Sequence, residues 1–198
     1  MKLVGVYLSP YVRRVAAALI SRGLPYEHEP VNGYREYETA SRYNPVGKVP
    51  SLVLDDGEIL IDSGAIIDYL NELMPSAPLI PAGSSARRAT LKLAAIGYGV
   101  AEQAISLYGR GRTAPEADTK RWWAQIHGGL RALDEAAREG GPLRAKPLDA
   151  AAITAVVTVE LLALLHPNIE LLPNFPALAA LAAEQRDAAP FAQTRPTL

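Results

Sequence analysis

Hydrophobic positions in the first 77 residues change period from element to element. An apolar, β-rich run at 3–8 gives way to a helical pattern at 10–22 closed by Gly23, and a second β-rich run follows at 26–31. A helical patch near 35–42 precedes "VPSLVL" at 49–54, a "DDGE" turn at 55–58 and "ILI" at 59–61. From about residue 63 to 73, Ile66, Ile67, Leu70 and Leu73 recur at helical spacing, and Met74-Pro75 ends the run. The predicted order is βαβαββα. A helix between the first two strands predicts a parallel, right-handed crossover, and a turn between the last two predicts an antiparallel hairpin, so the sheet is mixed.

The pattern changes after "SAPLIPAGSS" at 76–85. Strand signals vanish, and alanine-rich helical stretches are predicted near 86–108, 115–139, 149–165 and 176–187. Residues 1–77 therefore read as an α/β domain, 78–86 as a linker and 87–198 as an all-helical domain. One of its helices, "DAAAITAVVTVELLALLHP", has Asp149 as its cap and Glu160 as its one internal charge. Apolar residues on every face predict that its neighbours enclose it.

Composition narrows the function classes. Twenty lysines and arginines against 21 acids give a net charge of −1, so neither nucleic acid nor an anionic membrane is a predicted partner. With no cysteine, disulfides, thiolate metal sites and dithiol redox chemistry by the chain itself are excluded. The start, "MKLVGVYLSPYVRR", lacks a signal-peptide core, and no apolar run reaches bilayer length. The expectation is a cytoplasmic protein whose mature chain starts at Met1.

Three stretches carry candidate chemistry. In "SPYVRRV" Ser9 stands before Pro10 at a helix start, which suits an N-cap. A capping hydroxyl keeps its hydrogen, however, and sits at the positive end of the helix dipole, where an anion is favoured. In "NPVGKVPSLVL" Pro50 is either an edge-strand residue or part of a cis Val49-Pro50 bond that would turn the Val49 backbone toward an extended peptide. Lys48 is either a solvated charge or a carboxylate partner. In "DSGAIIDYL" one of Asp62 and Ser63 caps the helix; alternatively Ser63 with the local amides holds a carboxylate while Asp62 holds an ammonium.

In this order and spacing, these stretches, with "FPALAALAAEQRDAAPFAQTRP" at 175–196, resemble cytosolic-type glutathione transferases of bacterial, serine-type active site. The resemblance spans nearly the whole chain. It implies a thioredoxin-like N-terminal domain and a helical C-terminal domain. It also implies glutathione as cosubstrate without a metal, a homodimer, and a detoxifying attack of the glutathione thiolate on a small hydrophobic electrophile. Isomerase, dehalogenase and peroxidase chemistry occur in the same family. By the resemblance, Ser9 bonds the thiolate, Val49 pairs with the cysteinyl backbone, and Pro50 is the cis-proline. Lys48 reaches the glycyl carboxylate, and Asp62 with Ser63 holds the γ-glutamyl end. The electrophile pocket is expected between the domains, at Tyr11, Tyr98 and Tyr108.

The chain departs from the family at Asp62, often a glutamate, and at Asp149 and Ala152, where a reciprocal capping box is usual. Tyr7 is a rival thiol activator. The competing functional class is a non-enzymatic binding or interaction module built on the same fold. His28, His127 and His166 lack metal-ligand spacing, and Trp122 and Trp123 are expected to pack the helical domain.

Overall fold

In the computed structural model, which describes residues 1–167 and 171–197, short strands β1 (Lys2–Val4), β2 (Glu27–Glu29), β3 (Ser51–Val53) and β4 (Ile59–Ile61) form one sheet in the order β2-β1-β3-β4. β1 and β2 are parallel, with Leu3 opposite His28. β3 runs antiparallel to both β1 and β4, with Ser51 opposite Val4 and Ile61. Helices α1 (Pro10–Ser21), α2 (Tyr37–Tyr43) and α3 (Ser63–Leu73) complete the predicted βαβαββα order. Val4, Val31 and Ala40 form a core that joins the sheet to α2, with Tyr43, Val49 and Val53 packed around it. Alternation along the strands puts Leu3 and Leu52 on the opposite face, where both are fully buried. α1 packs against α3.

β1, β2 and β3 are shorter than the apolar runs that predict them, whereas β4 matches "ILI". Residues 3–8 were expected to continue as strand, but β1 stops at Val4 because Gly5 turns the chain with φ 132°. An added Cβ at Gly5 would overlap the Val12 side chain, so only glycine lets the turn sit against the first turn of α1.

The second unit contains α4 (Ser84–Arg110), α5 (Glu116–Glu139), a 3-10 turn (Gly141–Arg144), α6 (Ala150–Leu165), α7 (Leu171–Asn174) and α8 (Pro176–Gln185). Thirteen of the sixteen α6 residues are buried, as a helix apolar on every face requires. Its cap is Asp149, whose Oδ1 accepts the Ala152 N–H at 2.9 Å. Ala152 cannot return the bond; instead the Thr90 hydroxyl of α4 donates to Asp149 Oδ2 at 2.8 Å. The Thr158 hydroxyl donates to the Gly97 carbonyl, tying α6 to α4 again. The N-cap of α8 is Phe175, which offers no capping side chain. Asp134 of α5 substitutes, accepting the N–H groups of Ala177 at 2.8 Å and Leu178 at 3.0 Å.

The two compact units are Met1–Ile80 with Asp187–Leu198, and Pro81–Arg186. The sequence reading assigned all of 87–198 to the helical domain; the division instead groups the final segment with the sheet. The reason is Arg13 of α1, which is fully buried and donates through Nε to the Thr194 carbonyl at 2.8 Å and through Nη2 to the Phe191 carbonyl at 3.4 Å. These bonds hold α9 (Ala189–Ala192) beside α1. No helix among the described residues is long and apolar enough to cross a membrane.

Candidate active site

The pairing register brings the three sequence stretches to one end of the sheet. Ser51 lies opposite both Val4 and Ile61, so the exit of β1, the entry of β3 and the exit of β4 share an edge. Residues 5–9 leave the first, residues 48–50 reach the second, and residues 62–63 leave the third.

Ser9 is half-buried and caps α1: its Oγ accepts the Val12 N–H at 3.4 Å, a long bond, and its carbonyl accepts the Arg13 N–H at 2.9 Å. The first turn of α1 holds no acidic residue, so no carboxylate of its own opposes an anion at this positive helix end. Among the described hydrogen bonds the Ser9 hydroxyl acts only as an acceptor, which leaves its hydrogen for another group.

The Val49-Pro50 bond is cis, and Val49 borders the same turn: an added Cβ at Gly5 would stand 3.0 Å from the Val49 Cβ. Among the described residues, no hydrogen bond outside the strand ladder engages the Val49 amide or carbonyl. The preceding turn is built on buried Asn44, a residue the sequence reading did not single out. Its Nδ2 donates to the Lys48 carbonyl at 2.9 Å, and its Oδ1 accepts the Val46 N–H at 3.0 Å. The signal was present, since Asn before Pro favours such side-chain turns. Gly47 follows with φ 69° and packs directly against the Tyr37 ring. Lys48 itself is exposed.

At the third edge the cap is Asp62, whose Oδ1 accepts the Gly64 N–H at 2.7 Å. Its backbone, at φ 69° and ψ 131°, lies where L-residues rarely sit, a cost of about 1–3 kcal/mol that such positions carry mainly at ligand sites. The Ser63 hydroxyl is buried and has no hydrogen-bond partner among the described residues. A buried hydroxyl left bare at the start of a helix is unfavourable unless a ligand completes it.

Tyr7, the rival activator, has its hydroxyl 2.9 Å from that of Tyr26 and its ring stacked on His28, with centroids 4.0 Å apart and planes 5° from parallel. Burial first, and then the Tyr7 hydroxyl, push Tyr26 above the usual phenol range, so it stays neutral. A cleft of about 240 Å³ opens beside these rings, between Val6, Tyr7 and Leu8 of the turn and His28, Pro30 and Arg35. Of the three tyrosines expected to line the electrophile pocket, Tyr11 belongs to the sheet unit, whereas Tyr98 and Tyr108 belong to the helical unit. The latter two are ten residues apart on α4, about 15 Å along its axis. Tyr108 is exposed and meets His166 edge-on; Trp123 stands between His166 and His127, while Trp122 is buried. Among the described residues no group of three or more His, Asp or Glu is arranged to hold a metal ion.

A βαβαββα unit with a cis-proline at the start of its third strand, followed by a helical unit, defines a thioredoxin-like fold with a helical second domain. Comparison with known proteins carries this further. The family described as "Glutathione S-transferase, N-terminal domain" matches residues 3–78. Maleylacetoacetate isomerase from Pseudomonas aeruginosa is 42% identical over 85 residues, 40% of each chain. The chain spans about two fifths of the length of such curated relatives. A glutathione transferase from Methylobacillus flagellatus, solved with glutathione bound, superposes with a TM-score of 0.91 at 27% identity, covering 99% of each chain. A family member from Pseudomonas fluorescens Pf-5, also with bound glutathione, gives a TM-score of 0.85 at 30% identity, covering 100% of this chain and 99% of that one. The chain belongs to the glutathione transferase family.

Proposed function

We propose that the chain is a glutathione transferase in which Ser9 holds the glutathione sulfur as a thiolate. The observation that carries this reading is the Ser9 hydroxyl, uncommitted as a donor among the described hydrogen bonds, at a helix N-terminus free of acidic residues in its first turn, with the cis Val49-Pro50 bond at the same end of the sheet. The Val49 N–H and carbonyl would pair with the cysteinyl backbone. Ser63 Oγ and the first amides of α3 would take the γ-glutamyl carboxylate, Asp62 its ammonium, and Lys48 the glycyl carboxylate. The strained Asp62 backbone and the bare Ser63 hydroxyl support these assignments.

A free thiol titrates near pKa 8.5 and reacts as the thiolate. A hydroxyl donor to the charged sulfur and the helix dipole together contribute about 2–3 kcal/mol, which lowers that pKa by about 1.5–2 units. The proton leaves to solvent. The sulfur lone pair then forms a carbon–sulfur bond, and the leaving group departs with the displaced electron pair. With a carbon–carbon double bond as electrophile, addition and later expulsion of the same sulfur would isomerise it, the reaction class in the name of the Pseudomonas aeruginosa relative. Tyr7 is a weaker candidate because its hydroxyl and ring are committed to Tyr26 and His28. A hydrophobic electrophile, with Tyr11, Tyr98 and Tyr108 as its pocket, belongs to the same reading. So do homodimer assembly, metal-free catalysis, residence in the cytoplasm and a detoxifying role.

The test is a spectroscopic titration of bound glutathione in wild type, Ser9→Ala and Tyr7→Phe. Ser9→Ala is expected to raise the thiol pKa by about 1 unit or more, the worth of one hydrogen bond to a charged group; an unchanged value refutes the assignment. Absence of glutathione binding at millimolar concentration would favour the non-enzymatic module.

A further inference from the structure

The turn that carries Ser9 is pinned by its backbone only at its two ends. Gly5 N–H donates to the Glu29 carbonyl at 2.8 Å, Val6 N–H to the Val31 carbonyl at 3.1 Å, and Ser9 N–H back to the Val6 carbonyl at 3.0 Å. The amides of Tyr7 and Leu8 make no backbone hydrogen bond among those of the described residues. What fixes the middle of the turn is side-chain contact, and its source is the edge strand β2.

His28 lies opposite Leu3, and its imidazole runs forward so that Nε2 lies 2.7 Å from the Gly5 carbonyl oxygen. A carbonyl only accepts, so Nε2 carries a proton and donates. The face of the same ring supports the stacked Tyr7 ring, whose far end meets the Tyr26 hydroxyl. One imidazole thus grips the turn at Gly5 through a hydrogen bond and at Tyr7 through ring contact. His28 is itself exposed, so burial does not account for its placement.

We propose that His28 is a positioning residue: held from β2, it sets the 5–9 turn so that the Ser9 hydroxyl points at the glutathione sulfur. This rests on the Ser9 reading. Precise aim is what such a donor needs, because a hydroxyl displaced by about 1 Å stabilises the thiolate much less.

Two variants separate the grips. His28→Phe keeps a ring for Tyr7 and loses the N–H; His28→Gln keeps an amide donor and loses the ring. In His28→Phe, amide hydrogen exchange at Gly5, Val6 and Ser9 is expected to quicken about tenfold, with β3 and β4 unchanged. The bound-thiol pKa should rise by about half a unit, and kcat/KM should fall about three- to tenfold, the range of one lost hydrogen bond, while KM for glutathione stays within about twofold. His28→Gln should recover part of each change. In a Ser9→Ala background the effect of His28→Phe on the thiol pKa should vanish.

A lowered wild-type thiol pKa that His28→Phe leaves in place overturns the inference alone, as does an equal pKa effect with and without Ser9. A wild-type protein that leaves the glutathione thiol at its free pKa sinks the functional reading, and the role of His28 with it. The exchange measurement would still show whether His28 holds the turn, so the two failures look different.

Discussion

Asp134→Ala removes a helix cap supplied from another helix. In the folded protein Asp134 is 1% exposed, and its Oδ1 serves the second and third residues of α8, Ala177 and Leu178. Oδ2 takes the Arg138 guanidinium at 2.6 Å. Burial pushes this carboxyl up, but the Leu178 N–H, the Arg138 guanidinium and the Ala177 N–H together bring it below the usual carboxylate range. Losing a cap costs about 1–2 kcal/mol, and leaving two donors bare in a covered place raises the total to about 2–4 kcal/mol. For a chain of this size that lowers the melting temperature by about 5–15 °C. Asp134→Asn, which keeps an acceptor oxygen, should lose less. Because the folded-state pKa is depressed, the stabilisation is fully present above the unfolded value, about 3.9, and is lost as pH falls through the folded one. Urea unfolding from pH 7 down to pH 3 should therefore show a gap between wild type and Asp134→Ala that is constant above about pH 5 and narrows below about pH 4. A gap under about 0.5 kcal/mol at pH 7, or one that does not narrow, refutes the reasoning.

Two other substitutions separate folding from binding. Ser63→Ala removes a hydroxyl that bonds nothing among the described residues, so stability should stay level or rise slightly, while glutathione affinity by calorimetry falls about tenfold. Gly5→Ala drives a methyl into Val12 from a backbone that only glycine adopts comfortably; it should cost about 2–4 kcal/mol in urea unfolding, and Val12→Ala in the same chain should recover part of that.

Element order, strand sense and helix spans were legible because they depend on local signals: apolar period, capping residues, and Pro or Gly punctuation. The lengths of the first three strands were not. An apolar run such as 3–8 carries no mark of where the ladder stops, and the stop at Val4 is a tertiary event, set by how closely Gly5 must approach Val12. Ser9, the Val49-Pro50 pair, Asp62 and Ser63 stood out because caps and prolines have short-range signatures. His28, Tyr26 and Thr90 did not. Each acts on a residue 19 or more positions away, and single-sequence reading has no access to pairs at that range. The cap of α8 illustrates the same limit, since its donor groups and Asp134 are 43 and 44 residues apart.

The bonds from Arg13 to the carbonyls of Thr194 and Phe191 join positions 181 and 178 residues apart. The sheet that bears the 5–9 turn thus draws support from a segment that lies beyond the whole helical unit in sequence. A chain cut short before residue 187 would deprive that buried cation of these two acceptors, so removing the segment should unsettle α1 rather than the helical unit.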